Sequence, residues 1–165
     1  MKNFLYATFI CFVIVSVGCK QDAPQKQVEE QTQIQKTSGP IYPVLPSELA
    51  LKLFHEADLL DFIFHDLPFS MSQSEKPSIQ TNISYIGNDP VMEIPQGCKS
   101  IARQFYQIQG EIILESDVYY SEGCYFYIFY EDGQAKYANM MSTNGIGFFG
   151  NVLQQAINAS KNIGG

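Results

Sequence analysis

Hydrophobic residues recur at intervals of three or four positions in the stretch that begins near Ser47. They would line one side of a helix, and they are Leu49, Leu53, Ala57, Leu60 and Phe64. Ser47 is a favourable N-cap, and Pro68 disfavours helical geometry at the residue before it. The pattern predicts a helix over residues 47–66, followed by a polar loop over residues 70–76.

The hydrophobic period then changes to two, which is typical of a strand. The alternating positions are Ile79, Thr81, Ile83 and Tyr85, and they predict a strand over residues 78–86. Three turn sequences follow, at 109–110, 121–123 and 132–133, and the last of them, Asp132-Gly133, is a strong hairpin dipeptide. The turns predict an antiparallel meander with strands over residues 101–108, 111–119, 124–130 and 135–141.

The third strand of this meander, residues 124–130, has apolar side chains on both faces. Such a strand is usually central in its sheet and covered on both sides. The hairpin turn also sets a register, in which Ile108 opposes Glu111 and Phe105 opposes Leu114. In that register one face of the first two strands carries Ile101, Phe105, Ile112, Leu114 and Val118.

A second helix is predicted near the C-terminus, over residues 148–160. Its apolar stripe consists of Phe149, Val152, Leu153, Ala156 and Ile157. The predicted fold is therefore α+β, with an N-terminal helix, an antiparallel β-meander of about five strands and a C-terminal helix packed on the sheet. Residues 47–165 would form this single domain.

The N-terminus has the three parts of a secretion signal. Lys2 supplies the positive charge, residues 4–17 are almost entirely apolar, and Gly18 is the small residue before the cleavage point. The run from Ser16 to Cys19 resembles the lipobox of bacterial lipoproteins, in the looser form found in Bacteroidota. The resemblance implies a signal peptide over residues 1–18 and a lipid anchor on Cys19.

The next stretch, residues 19–46, is rich in Gln and other polar residues and has few apolar ones. This composition is typical of a disordered tether. With lipid on Cys19, the chain would be attached to a membrane of the cell envelope, by expectation the outer membrane. The periplasmic and the surface-facing leaflets both remain open.

The charge of the predicted domain limits its partners. From Ser47 onward the chain holds six Lys and Arg against fourteen Asp and Glu, and such an acidic surface repels nucleic acid and anionic lipid headgroups. No nucleic-acid partner is expected. Because Cys11 would leave with the signal peptide and Cys19 would be acylated, Cys98 and Cys124 remain as a predicted disulfide pair.

Candidate chemistry is sparse. Asp58, Asp61 and His65 would lie along one side of the predicted first helix, where they could bind a divalent metal or serve a metal-dependent hydrolase. A solvated helix edge is the favoured interpretation of this group. The glycines of the segment 145–150 match the dinucleotide fingerprint in spacing, but the parallel strand that should follow is missing. We therefore predict no catalytic residue, no cofactor and no bound metal.

Aromatic residues provide the other candidate surface. Tyr125, Tyr127 and Phe129 share one face of the central strand, where they could bind a protein or stack on a glycan. Burial beneath the two helices is the competing interpretation. The predicted function is a non-enzymatic, lipid-anchored binding module for an envelope protein or a glycan. The alternative is a structural lipoprotein that docks to an outer-membrane complex.

Overall fold

The computed structural model describes residues 40–163, and it describes side-chain surroundings through residue 159. The predicted signal peptide, the predicted lipidation site Cys19 and most of the predicted tether lie outside these residues. The described helices are α1 (Ser47–Glu56), α2 (Lys76–Ile83) and α3 (Thr143–Ile163). The described strands are β1 (Leu59–Phe64), β2 (Ser70–Gln73), β3 (Ile86–Pro90), β4 (Ser100–Ile108), β5 (Glu111–Ser121), β6 (Cys124–Glu131) and β7 (Gln134–Met141).

The α+β class is confirmed, but the sheet is larger than predicted. Its seven strands lie in the order β2-β1-β4-β5-β6-β7-β3, and the strand pairs are antiparallel. The predicted meander corresponds to β4, β5, β6 and β7. No helix within residues 40–163 is long and apolar enough to cross a membrane.

The predicted N-terminal helix over residues 47–66 is not confirmed, because α1 ends at Glu56 and the chain then forms β1. Leu60 and Phe64 are four residues apart, so they fit a helical stripe. They also alternate with polar or exposed positions, and Leu60, Phe62 and Phe64 are buried together. Pairing of β1 with β4 gives these side chains a covered face that a longer helix would not have provided.

The predicted strand over residues 78–86 is also wrong, because most of it forms α2. Ile79 and Ile83 are four residues apart and therefore satisfy helical as well as alternating spacing, and both are buried. Pro77 at the first turn favours a helix start. The predicted loop over residues 70–76 contains β2, which pairs with β1 at the sheet edge.

A β-bulge changes the predicted register of the first hairpin. Ile108 does oppose Glu111, but the register shifts between Tyr106 and Gln107, so that Tyr106 pairs with Leu114 and Phe105 pairs with Glu115. One extra residue on a strand moves every later side chain to the other face. Phe105 and Ile112 therefore lie on the face opposite to Leu114 and Val118.

The disulfide between Cys98 and Cys124 is confirmed, with the two Cα atoms 5.7 Å apart. It joins the β3–β4 loop, residues 91–99, to the start of β6. This loop covers a second group of buried residues on the sheet, here called the disulfide cluster: Val91, Cys124, Phe126, Ile128 and Ala138.

The main hydrophobic core lies on the other face of the sheet, beneath the helices. Leu53 of α1, Ile79 of α2 and Phe149 of α3 are fully buried there. The largest side chains that the strands contribute to this core are Phe62, Tyr106, Tyr127 and Phe129. The predicted packing of a C-terminal helix on the sheet is therefore present in α3.

Residues 40–46, here called the N-terminal arm, were predicted to belong to the tether. In the structure they are hydrogen-bonded to the domain. Ile41 donates its backbone N–H to Val91, and the carbonyl of Pro43 accepts from Ala138. Leu45 is buried, and its N–H donates to Asn139 Oδ1 at 2.7 Å. The folded region thus begins before Ser47.

Helix α3 begins at Thr143, five residues before the predicted start, and it includes the glycine-rich segment. A Cβ on Gly145 would lie 2.8 Å from Met141 Cγ and Tyr85 Cβ, and 3.1 Å from the Tyr85 carbonyl oxygen. A Cβ on Gly147 would meet nothing within 4 Å. The close approach of α3 to Met141 and Tyr85 therefore requires glycine at position 145 but not at position 147.

We expect Gly145→Ala to destabilise the protein by about 1–2 kcal/mol, because overlap with packed atoms outweighs the gain in helix propensity. Gly147→Ala should stabilise the protein by about 0.5–1 kcal/mol, because only the propensity gain applies there. Urea unfolding of both variants measures the difference. Equal effects of the two substitutions would contradict the packing role of Gly145.

Candidate functional site

The two faces of the sheet are covered to different extents. Helices cover one face, whereas on the other face the 91–99 loop and the N-terminal arm cover the disulfide cluster of β6 and β7. Over β1, β2, β4 and the start of β5, the second face is open to solvent. Ile63 of β1 and Ile112 of β5 remain 52% and 53% exposed there.

A polar and aromatic group lies on this open region, here called the open-face patch. It consists of Asp61, Ile63, Ser72, Phe105, Gln107 and Ile112. Asp61 is the central residue, because strand pairing places it directly opposite Ser72 on one side and Phe105 on the other. The patch lines a shallow depression of about 440 Å³.

The carboxylate of Asp61 is held in place by two neighbours. Ser72 Oγ donates to Asp61 Oδ1 at 2.5 Å, and Gln107 Nε2 donates to Asp61 Oδ2 at 2.8 Å. Each carboxylate oxygen can accept a further hydrogen bond. The hydrogen-bonded side chains of Ser72, Asp61 and Gln107 therefore lie beside the half-buried ring of Phe105 and two exposed isoleucines.

An ion-pair network borders the patch on the same face. Arg103 donates from Nε and Nη2 to the two carboxylate oxygens of Asp117, at 2.9 and 3.0 Å, and from Nη1 to Glu115 at 3.2 Å. Its guanidinium carbon lies 4.7 Å from the centroid of the Tyr130 ring. The Tyr130 hydroxyl donates to Asp117 at 2.8 Å.

The contacts within this network shift the pKa values of Arg103 and Tyr130 upward. The hydrogen bond to Asp117 raises the pKa of Arg103, against an opposing effect of burial. Burial, and then the hydrogen bond to Asp117, raise the pKa of Tyr130. Arg103 is thus shared between two carboxylates, and its three guanidinium nitrogens are all engaged with Asp117 and Glu115.

The structure does not bring the predicted metal candidates together. Asp58 lies in the turn after α1 and accepts from the backbone N–H of Gln109, Asp61 lies in β1, and His65 follows β1 with an exposed side chain. Their placement on one helix was wrong, since α1 ends at Glu56. Within residues 40–163 no group of three or more His, Cys, Asp or Glu side chains could hold a metal ion.

The predicted aromatic surface is mostly core. Tyr127 and Phe129 are buried beneath the helices, and Phe149 of α3 contacts Tyr127 with the ring centroids 6.4 Å apart. Only Tyr125 of the three is partly exposed. The glycine segment 145–150 lies inside α3, after an antiparallel strand, so it lacks the parallel βαβ setting of a dinucleotide site.

Sequence patterns missed the open-face patch, because residue 61 was assigned to a helix and residues 70–76 to a loop. A signal was present: Leu60, Phe62 and Phe64 alternate with Asp61 and Ile63. Alternation over five residues, rich in aromatic and β-branched side chains, favours a strand. The bulge in β5, which turns Leu114 away from the face that carries Phe105 and Ile112, had no comparable signal.

Comparison of the chain with protein-family models, with curated proteins and with solved structures gives no match.

We expect Arg103→Gln to destabilise the domain by about 1–2 kcal/mol, because Asp117 would keep a mostly buried charge without its cation. This cost is smaller than that of breaking a fully buried ion pair, because solvent partly screens the exposed side of Arg103. Adding Asp117→Asn should recover part of the loss, since it removes that charge. Denaturant unfolding of the single and double variants gives the coupling energy. Additive effects would contradict a shared network.

Proposed function

We propose that this protein is a lipid-anchored, non-enzymatic lipoprotein of a bacterial cell envelope, and that its open-face patch binds a glycan. The observation that carries the binding role is the oriented Asp61 carboxylate beside Phe105, on the part of the sheet that the helices and the 91–99 loop leave uncovered. The anchoring role is supported by the signal-like N-terminus and the lipobox-like run that ends at Cys19.

The patch suits a sugar because a pyranose ring has an apolar face and polar edges. Phe105, with Ile63 and Ile112 nearby, offers an apolar surface to the C–H groups of the ring. Asp61 and Gln107 can accept and donate hydrogen bonds at the ring edge. Since Asp61 is already held by Ser72 and Gln107, little side-chain ordering remains to oppose binding.

The charge of the domain narrows the class of glycan. From Ser47 onward acidic residues outnumber basic ones by fourteen to six. Within residues 40–163, Asp61 is the only charged residue that lines the depression. A polyanionic glycan would be repelled. We therefore favour a neutral or amino-bearing oligosaccharide as the ligand.

Binding is measured by calorimetric titration of neutral tetrasaccharides (chitotetraose, cellotetraose, mannotetraose) into the Cys19→Ala chain from residue 19 onward. At least one should bind, and Asp61→Ala should weaken its affinity about tenfold or more, because a hydrogen bond to a charged group is lost. Phe105→Ala should weaken it as well. Leu51→Ala is the control: Leu51 is an exposed residue of α1, on the other side of the sheet, and its truncation should have no effect.

Two results would contradict the glycan proposal. One is the absence of binding by any tetrasaccharide. The other is binding that Asp61→Ala and Phe105→Ala leave unchanged while both variants remain folded. Specific capture of an outer-membrane protein through the patch, in place of a sugar, would favour a docking lipoprotein.

The anchor is tested separately, by metabolic labelling with an alkyne analogue of palmitate. The wild type and Cys11→Ala should be labelled, because Cys11 lies within the predicted leader. Cys19→Ala should not be labelled, because the acylated thiol is missing. Label that persists in Cys19→Ala would refute the lipobox, and protease treatment of intact labelled cells would distinguish the two leaflets.

A further inference from the structure

A second cavity lies on the helix side of the sheet, at the opposite end from the open-face patch. It has a volume of about 620 Å³ and is enclosed by the N-terminal arm, α1 and the α2–β3 connection. This volume is within the usual range for small-molecule sites, about 300–1,000 Å³. The cavity, here called the arm pocket, is lined mainly by aliphatic and aromatic side chains, including Val44, Leu45, Leu51, Phe54, Ile83 and Ile86.

Four polar side chains line the arm pocket, and two of them, Asn139 and Ser84, are engaged within the protein, whereas Ser47 and Asn88 lie at its exposed rim. Asn139 Oδ1 accepts from the Leu45 N–H, and Asn139 Nδ2 donates to the Gly87 carbonyl at 2.8 Å. The hydroxyl of Ser84 donates to the Thr81 carbonyl. Among the residues that the structure describes, the lining includes no ionisable side chain. A ligand in this pocket would therefore find apolar contact but few hydrogen-bond partners.

This chemistry selects the kind of occupant. A peptide would bring backbone N–H and C=O groups, and burying them without partners is costly. An aliphatic chain brings no such groups. A carboxylate or phosphate head would meet no cation in the lining and a domain that is already acidic. The head of the ligand should therefore be uncharged.

The rim of the pocket also carries apolar surface that a ligand would cover. Leu51 is 56% exposed and Val44 is 37% exposed, although both line the cavity. Removing such surface from water contributes about 25 cal/mol per Å². The exposed position of Leu51 also means that its side chain can be changed without disturbing the buried core.

We propose that the arm pocket binds the single aliphatic chain of a lipid with an uncharged polar head, such as a monoacylglycerol. The site shares no residue with the open-face patch. It is therefore a second binding activity, independent of the glycan proposal.

The probe is 1-monolauroylglycerol below its aggregation concentration, titrated into the Cys19→Ala chain from residue 19 onward. We expect saturable binding of one molecule per chain. Leu51→Lys should weaken the affinity about tenfold or more, because a charge would have to be desolvated at the rim. Ile112→Lys introduces the same charge at an equally exposed site in the open-face patch and should leave lipid binding unchanged.

Leu51→Lys and Ile112→Lys also separate lipid binding in the arm pocket from glycan binding at the open-face patch. Ile112→Lys should reduce tetrasaccharide binding, and Leu51→Lys should not. Laurate, which has the same chain and a charged head, should bind more weakly than the monoacylglycerol. Absence of saturable lipid binding by the unmutated pocket, or equal affinity of the Leu51→Lys and Ile112→Lys variants, would overturn the arm pocket as a lipid site.

Discussion

Strand β6 can be stable in water only if both of its faces are covered. Tyr127 and Phe129 project to one side, Phe126 and Ile128 project to the other, and all four are buried. Helix α3 covers the first side through Phe149. The second side has no helix, so the 91–99 loop and the N-terminal arm cover it, and the Cys98–Cys124 disulfide joins that loop to β6. Because a loop has little core of its own, this covalent link restricts how far it can open.

The extent of that second cover determines where a ligand can reach the sheet. The cover ends where the Arg103–Asp117 network begins, and this network occupies the middle of the face, with Arg103 shared between Asp117 and Glu115. Beyond it, β1, β2 and β4 have no cover, and their side chains form the open-face patch. On the helix side, the N-terminal arm that helps to cover β6 also encloses the arm pocket. Both proposed sites therefore result from how one strand is buried.

Elements with a single consistent pattern were predictable from the sequence. The Asp132-Gly133 turn and the two-sided apolar pattern of β6 led to the meander, and elimination of Cys11 and Cys19 led to the disulfide. Errors arose where two buried hydrophobic residues lie four positions apart, because that spacing fits both the helical period of about 3.6 and the strand period of two. Leu60 and Phe64 fit a helix but lie in a strand, whereas Ile79 and Ile83 fit a strand but lie in a helix. Tertiary pairing decided both cases, and the bulge in β5 that turns Leu114 away from the face of Phe105 depends on it too.

Hydrogen exchange of the Cys98→Ser/Cys124→Ser variant, compared with the disulfide-bonded protein by mass spectrometry, tests the role of the loop as the second cover of β6. We predict faster exchange in residues 40–46 and 124–131, because the loop would no longer be held against the disulfide cluster. Exchange in β1, whose cover is the helix side, should change little. Unchanged protection of β6 and the N-terminal arm without the disulfide would contradict the account.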